Sequence, residues 1–292
     1  MKKIVFLFFI LLFSFCTKKE GQYPRLIVPD VDDVVEVNTK QMLNNKPPLL
    51  AVNFINDTAV INKALTDKER SIVNFPLDTI LPKYNLKITI DTSYSFYSKG
   101  FEYKNLPWPK PNDSINKLYP NAIDRENAYF NPYFKKADRI KKEYVASFPV
   151  LIFNKSDKKA FISETFDIGD FLLIQEAKDI DGKWKPIEFQ RSLMFGCDIA
   201  INLNYLLKPK HYIATAIIKY KGNFKTKIRV KMYSGNDYYY SNEIVGYINR
   251  SQFSQDFIKA YFKERTVNYE EKDLGMYKDF MFLNFEKYFP KK

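Results

Sequence analysis

Between residues 147 and 249 the chain reads as seven or eight short strands in series, and that rhythm leaves few folds open. Phe148–Phe153 is an apolar run closed by the turn-forming Asn154-Lys155-Ser156-Asp157. A second run, Ala160–Phe166, leads to Phe171–Ala177. Asp181-Gly182 then separates that strand from Trp184–Phe189, the signature of a two-residue hairpin turn in which both positions take positive φ. Leu193–Leu206 reads as another strand, and His211–Tyr220 and Phe224–Tyr233 flank Gly222-Asn223, which reads as a second hairpin. Glu243–Ile248 closes the set. Short strands with turns at regular intervals predict an immunoglobulin-like β-sandwich over 147–249.

The flanking regions read differently. Residues 16–103 are a mixed α/β region: Pro48–Ile55 reads as a strand, and Thr58 as the cap of a short helix carrying Val60, Ile61, Ala64 and Leu65. Leu86, Ile88 and Ile90 alternate with Lys87, Thr89 and Asp91, a half-buried strand that Thr92–Tyr97 continues. Residues 104–146 hold Pro107, Pro109, Pro111, Pro120 and Pro132 and read as an irregular connection, with Lys135–Tyr144 as its one helical turn or two. Residues 250–292 regain a helical period. Phe257, Ile258, Tyr261 and Phe262 follow a capping Ser254, and Tyr277, Phe280, Met281, Asn284, Phe285 and Tyr288 follow Gly275. The predicted class is mostly β with α elements: a sandwich, an N-terminal α+β region and C-terminal helices. An apolar fraction of 46% excludes a disordered chain, and two cysteines exclude a disulfide scaffold.

Residues 1–15 read as a signal peptide: Lys2 and Lys3, then the apolar run Ile4–Phe13, shorter than the roughly 20 residues of a membrane span. Leu12-Phe13-Ser14-Phe15-Cys16 resembles a bacterial lipobox, after whose cleavage Cys16 would carry lipid; Phe15 departs from the small residue usual before the cysteine. An uncleaved anchor and a plain signal peptide are the alternatives. The expected location is the cell envelope, membrane-anchored, on a periplasmic or outer-surface face.

The sandwich stretch carries Gly182-Lys183-Trp184-Lys185-Pro186-Ile187-Glu188, Gly196-Cys197, Leu207-Lys208-Pro209, Tyr240-Ser241-Asn242-Glu243 and Gly246-Tyr247-Ile248-Asn249. With these it resembles a segment of secreted or lipid-anchored proteins of Bacteroidetes-type bacteria. The resemblance implies the fold and the location and supplies no catalytic residues.

Two groups of side chains invite a functional reading. Lys225, Lys227, Arg229 and Lys231 alternate with apolar residues, so a strand sets all four cations on one face, available to an anionic surface or simply solvated. Trp108, Tyr129, Phe130, Tyr133 and Phe134 crowd the proline-rich stretch, where they could stack on sugar rings or pin the loop to the core. Tyr238-Tyr239-Tyr240 is a further tip, and Asp179 with Asp181 reads as a turn former rather than the start of a calcium loop. Sequons occur at Asn56, Asn112, Asn154 and Asn249.

Chemistry is sparsely signalled. His211 is the single histidine and Cys197 reads as a buried small hydrophobe. No nucleophile elbow, phosphate loop, dinucleotide fingerprint or zinc-protease motif occurs, and nothing points to a metal or cofactor. The formal charge of +12 is dispersed among acids, without a nucleic-acid-binding motif. The expected role is a non-catalytic binding or assembly module whose partner is another envelope protein. A surface glycan held by the aromatic stretch is the alternative, and a carboxylate-pair hydrolase a further one.

Overall fold

The computed structural model describes residues 23–28, 30–44, 47–55, 58–60, 72–74, 82–101, 103–104, 106, 109, 112–163, 171–190, 203–258 and 274–285. They form a mostly β structure with a few helices, as expected. The centre of the first sheet is β9 (Tyr144–Asn154), eleven residues long. It pairs with β15 (Tyr212–Ile218) on one side, and β15 pairs onward with β4 (Leu49–Phe54). On the other side β9 takes β7 (Leu86–Ile90) and β8 (Phe96–Ser98) end to end, while β2 (Val34–Val35) pairs parallel at Tyr144 and Val145 on the β15 side.

Pro149 lies in the middle of that strand, where a missing N–H ordinarily breaks a ladder. Here the loss falls in a gap. β7 ends opposite Val150 and β8 begins opposite Ser147, and the Pro149 carbonyl on that side accepts from Asp91 N at 3.1 Å.

The second sheet is built on β16 (Phe224–Ser234), which pairs with β11 (Leu173–Lys178) on one side and with β17 (Asp237–Tyr240) and β18 (Ile244–Ile248) on the other. β12 (Trp184–Pro186) adds to β11. A third sheet orders β10 (Ala160–Ser163), β14 (Leu203–Leu207) and β6 (Ile72–Asn74). Two parallel pairs complete the set: β1 (Arg25–Ile27) with β5 (Thr58–Val60), and β3 (Leu43–Asn44) with β13 (Glu188–Phe189). One core is filled from both large sheets, by Val150, Ile152, Ile213 and Ile217 from the first and Leu173, Ala177, Val230 and Met232 from the second. Strands from residues 16–103 thus share sheets with strands from 147–249.

Three local expectations are corrected. Thr58 begins a strand, not a helix, because its backbone pairs with Arg25; the apolar positions after Val60 lie outside the described residues. Gly222-Asn223 is a crossover between sheets, since β15 and β16 belong to different ones. Glycine is required there by proximity: a Cβ on Gly222 would lie 2.1 Å from the Ile248 carbonyl carbon. Asp181-Gly182 belongs to a longer loop between Lys178 and Trp184, with positive φ at Gly182 alone. The Asp179 carboxylate organises it, accepting from Asp181 N and Lys183 N at 2.9 Å each. The tight turn with two positive φ values is Gly235-Asn236, at 56° and 60°, between β16 and β17.

The largest correction concerns residues 104–146, which are not an irregular connection. They hold α1 (Asp113–Leu118) and α2 (Ala122–Lys142). Asn112 caps α1 and Asn121 caps α2, each accepting from the N–H two residues on. Pro111 precedes Asn112 in the sequence, and Pro120 sits immediately before the Asn121 cap, where its fixed φ suits an extended backbone. Only Pro132 lies inside a helix, and it removes one backbone hydrogen bond.

At the other end, α3 (Leu274–Met281) lies on the outer face of the second sheet. Phe280, Leu283 and Phe285 pack there against Leu172, Ile174 and Tyr233. Phe257 and Ile258 are helical, as expected after Ser254; the residues following them lie outside the described set.

Candidate functional site

Helices α1 and α2 form a finger on the sandwich. The base is fixed: Ile140 joins the main core, Lys141 O accepts from Gly100 N at 2.9 Å, and the Tyr103 hydroxyl bonds Glu143. Tyr129 joins the two helices. Its hydroxyl accepts from Asn112 N at 2.7 Å and lies 2.9 Å from Asn112 O and 2.8 Å from Asn116 Oδ1. Ile140 is the single buried residue of α2, so most of the helix stands clear of the core.

The aromatic candidates divide accordingly. Trp108 lies outside the described residues. Tyr129, Phe130 and Tyr133 are half-buried, and Phe134 is exposed. Phe130 stacks on Phe134 at 6.0 Å and 29°, whereas Tyr133 meets it edge-on at 5.6 Å and 78°. Rings turned on one another in this way do not make an open coplanar row.

Sequence reading singles out Phe134 on the finger but not Leu118 or Ile123 at its apolar end. Leu118 is 72% exposed, Tyr119 42%, Ile123 67% and, further along α2, Phe134 52%. The Asn121 cap was the available signal: it starts a helix on which Ile123, Phe130 and Phe134 fall within roughly 40° of one another at 100° per residue.

The four cations of β16 do share a face, but not a role. Lys225 is exposed, and Lys227 lies 2.7 Å from Glu243, whose carboxyl its hydrogen bond holds below the ordinary range. Arg229 is 2.7 Å from Glu176 across the sheet, its guanidinium held between the rings of Trp184 at 4.2 Å and Tyr240 at 4.1 Å. Lys231 is buried beneath the C-terminal segment, donating to Phe282 O at 3.2 Å and Asn284 Oδ1 at 2.7 Å. The face is therefore internally compensated at Lys227 and Arg229, and covered at Lys231.

Two open clefts meet at Lys40. One, of about 460 Å³, is lined by residues 35–41 with Leu43, Tyr103 and Lys104. The other, of about 480 Å³, adds Asn223, Phe224, Asn249, Arg250 and Ser251. The most enclosed carboxylate is Glu188, fully buried, which accepts from Gln175 N at 2.9 Å, Gln175 Nε2 at 2.7 Å and the Tyr220 hydroxyl at 2.6 Å. Burial first, and Glu188 second, push the Tyr220 hydroxyl well above its ordinary pKa, so the cluster ties β11, β13 and the end of β15 together as a closed network. Among the described residues no group of three or more His, Cys, Asp and Glu side chains is placed to hold a metal ion. Nor is any described helix long and apolar enough to cross a membrane.

Three sequons have structural duties. Asn112 caps α1, the buried Asn154 donates to Lys158 O at 2.8 Å, and Asn249 donates to Asn38 Oδ1 at 2.7 Å. Cys16, Asn56 and Cys197 lie outside the described residues. Comparison with family models, with curated proteins and with solved structures finds no match to the chain.

Proposed function

We propose that this chain is a lipid-anchored cell-envelope protein that works by non-catalytic assembly, with the α1–α2 finger as its contact element. The observation that carries the reading is the finger itself, a helical projection bonded firmly at its base and bearing exposed apolar side chains along its length. Its position supports an anchored arrangement. Tyr23, the first described residue after the tether, accepts from Lys87 Nζ at 2.7 Å, and Lys87 stands opposite Phe153 near the end of β9. The finger enters β9 at its beginning, through Glu143 and Tyr144, about 30 Å away at 3.3 Å per residue. Residues 16–22 can span at most roughly 25 Å. A membrane holding Cys16 therefore lies toward one end of β9, and the finger projects from the other.

Metabolic labelling with an alkyne fatty acid tests the anchor. Wild type is expected to carry label and Cys16→Ala to lose it; label retained by Cys16→Ala overturns the lipid-anchored reading. Envelope cross-linking tests the assembly half: the finger should enter cross-linked adducts, and a finger that stays uncross-linked while other surfaces react overturns it.

A further inference from the structure

Four of the twelve exposed large apolar side chains of the described residues belong to this one finger: Leu118, Tyr119, Ile123 and Phe134. An anionic lipid surface is an unsuitable cover for them, because the charge is distributed the wrong way. Around the exposed tip stand Asp113, Asp124 and Glu126 against Lys117 and Arg125, whereas Lys135, Lys136, Arg139, Lys141 and Lys142 gather toward the base with Asp138 as the one acid of α2 among them. A helix that lies on a bilayer carries cations along the whole of its apolar face, not gathered toward one end of it.

An acidic first half and a basic second half are what an antiparallel copy of the same helix would complement. We infer that α2 pairs antiparallel with the α2 of a second copy of this chain, making the finger a homodimer contact. The register follows from helix geometry. Ile123 and Phe134 are eleven residues apart, three turns, and therefore share one stripe. In the antiparallel pair Ile123 of each copy meets Phe134 of the other. Asp124 and Lys135 are also eleven apart and occupy one flank of that stripe, within roughly 20° of each other. In an antiparallel pair like flanks meet, so each Asp124 faces the partner's Lys135, and Asn127 faces the partner's Asn131. Two-fold symmetry makes both contacts twice, which is the self-complementarity an isologous interface needs. This inference rests on the assembly half of the proposed function and not on the anchor, so its failure leaves the acyl-labelling result untouched.

The test uses the full chain in detergent micelles, with Cys197→Ser as background. Ile123→Cys with Phe134→Cys is expected to give a disulfide-linked dimer on oxidation. Arg125→Cys with Lys136→Cys, the same spacing on the opposite side of the helix, is expected to give none. Equal cross-linking of the two pairs, or none from the first, overturns the proposal. Charge reversal reads the same contact without cysteines, by sedimentation equilibrium. Asp124→Lys and Lys135→Asp should each weaken dimerisation by roughly three- to tenfold, as two exposed ion pairs lost per dimer allow. The combined reversal should restore it. A combined variant no tighter than the single ones, or a wild-type chain still monomeric at roughly 100 µM, about a hundred times a micromolar dissociation constant, overturns the pairing.

Discussion

Helices α2 and α3 are both amphipathic and both rich in aromatic residues, yet one is a surface and the other a lid. The apolar side of α3 vanishes against the second sheet, where Phe280, Leu283 and Phe285 bury with Leu172, Ile174 and Tyr233. The apolar side of α2 keeps Ile123 and Phe134 in water. Periodicity says that a helix has an apolar side; it does not say whether the same chain supplies the cover.

The sharpest way to break this contrast is to truncate one aromatic on α2 and one in the short segment that α3 leads into. Phe285→Ala removes a fully buried ring and is expected to lower the unfolding free energy by about 3–5 kcal/mol, read from urea midpoints. A loss below about 1 kcal/mol would mean that α3 is a loosely held flap, no different in kind from α2.

Lys231 gives the next largest effect, because its charge lies under that lid. Lys231→Ala strips the donor from Asn284 Oδ1 and Phe282 O and should destabilise by about 1–3 kcal/mol. If the cation were instead part of an open anion-binding face, the substitution would leave the urea midpoint near wild type.

On the finger, Phe134→Ala should change monomer stability by no more than about 0.5 kcal/mol, since the ring is already largely hydrated. A loss of several kcal/mol would show that Phe134 serves the fold rather than a contact.

How much of this could be read from the residues depends on where each decision is made. Alternation gave β7 and β16 correctly, because a half-buried strand states its period in its own side chains, whereas β9 and β15, buried on both faces, were read from apolar stretches bounded by turns. Sheet membership is decided elsewhere. Gly222-Asn223 looks like a hairpin turn locally, and only the pairing of β15 with β9 and β4 sends the next strand into another sheet. The finger was hidden by its prolines, read as breaks although Pro111 and Pro120 precede helix caps. The end of α3 was hidden in the opposite way. Leu283 adopts the left-handed conformation, φ 53°, where glycine is usual, and its burial holds it there. Of the candidate site, Phe134 and the shared face of the four cations were legible. The compensation of Arg229 by Glu176 was not, because the partners are 53 residues apart.

The same contrast runs along β16 itself and makes the smallest effect the most diagnostic. Lys231 is under α3, whereas Lys227 stands four residues earlier in the open, paired with Glu243, which Lys178 also approaches at 3.5 Å. The Lys227 hydrogen bond, and then the two positive charges, hold the Glu243 carboxyl below its ordinary 4.5 in the folded state. A depressed folded pKa means stability that is complete above the unfolded value and disappears as pH falls through the folded one. The difference between wild type and Glu243→Gln should therefore be constant from neutral pH down to about 5, shrink below 4.5, and diminish at high salt. The effect of Lys231→Ala should depend far less on salt, because its ammonium is buried beneath the C-terminal segment, where charges are screened much less. Urea midpoints of the two variants at low and high salt, across roughly pH 3 to 8 so that the carboxylate range is included, separate the open end of the strand from the covered one. An equal salt dependence of the two effects would mean that α3 excludes no more water than the bare face beside it.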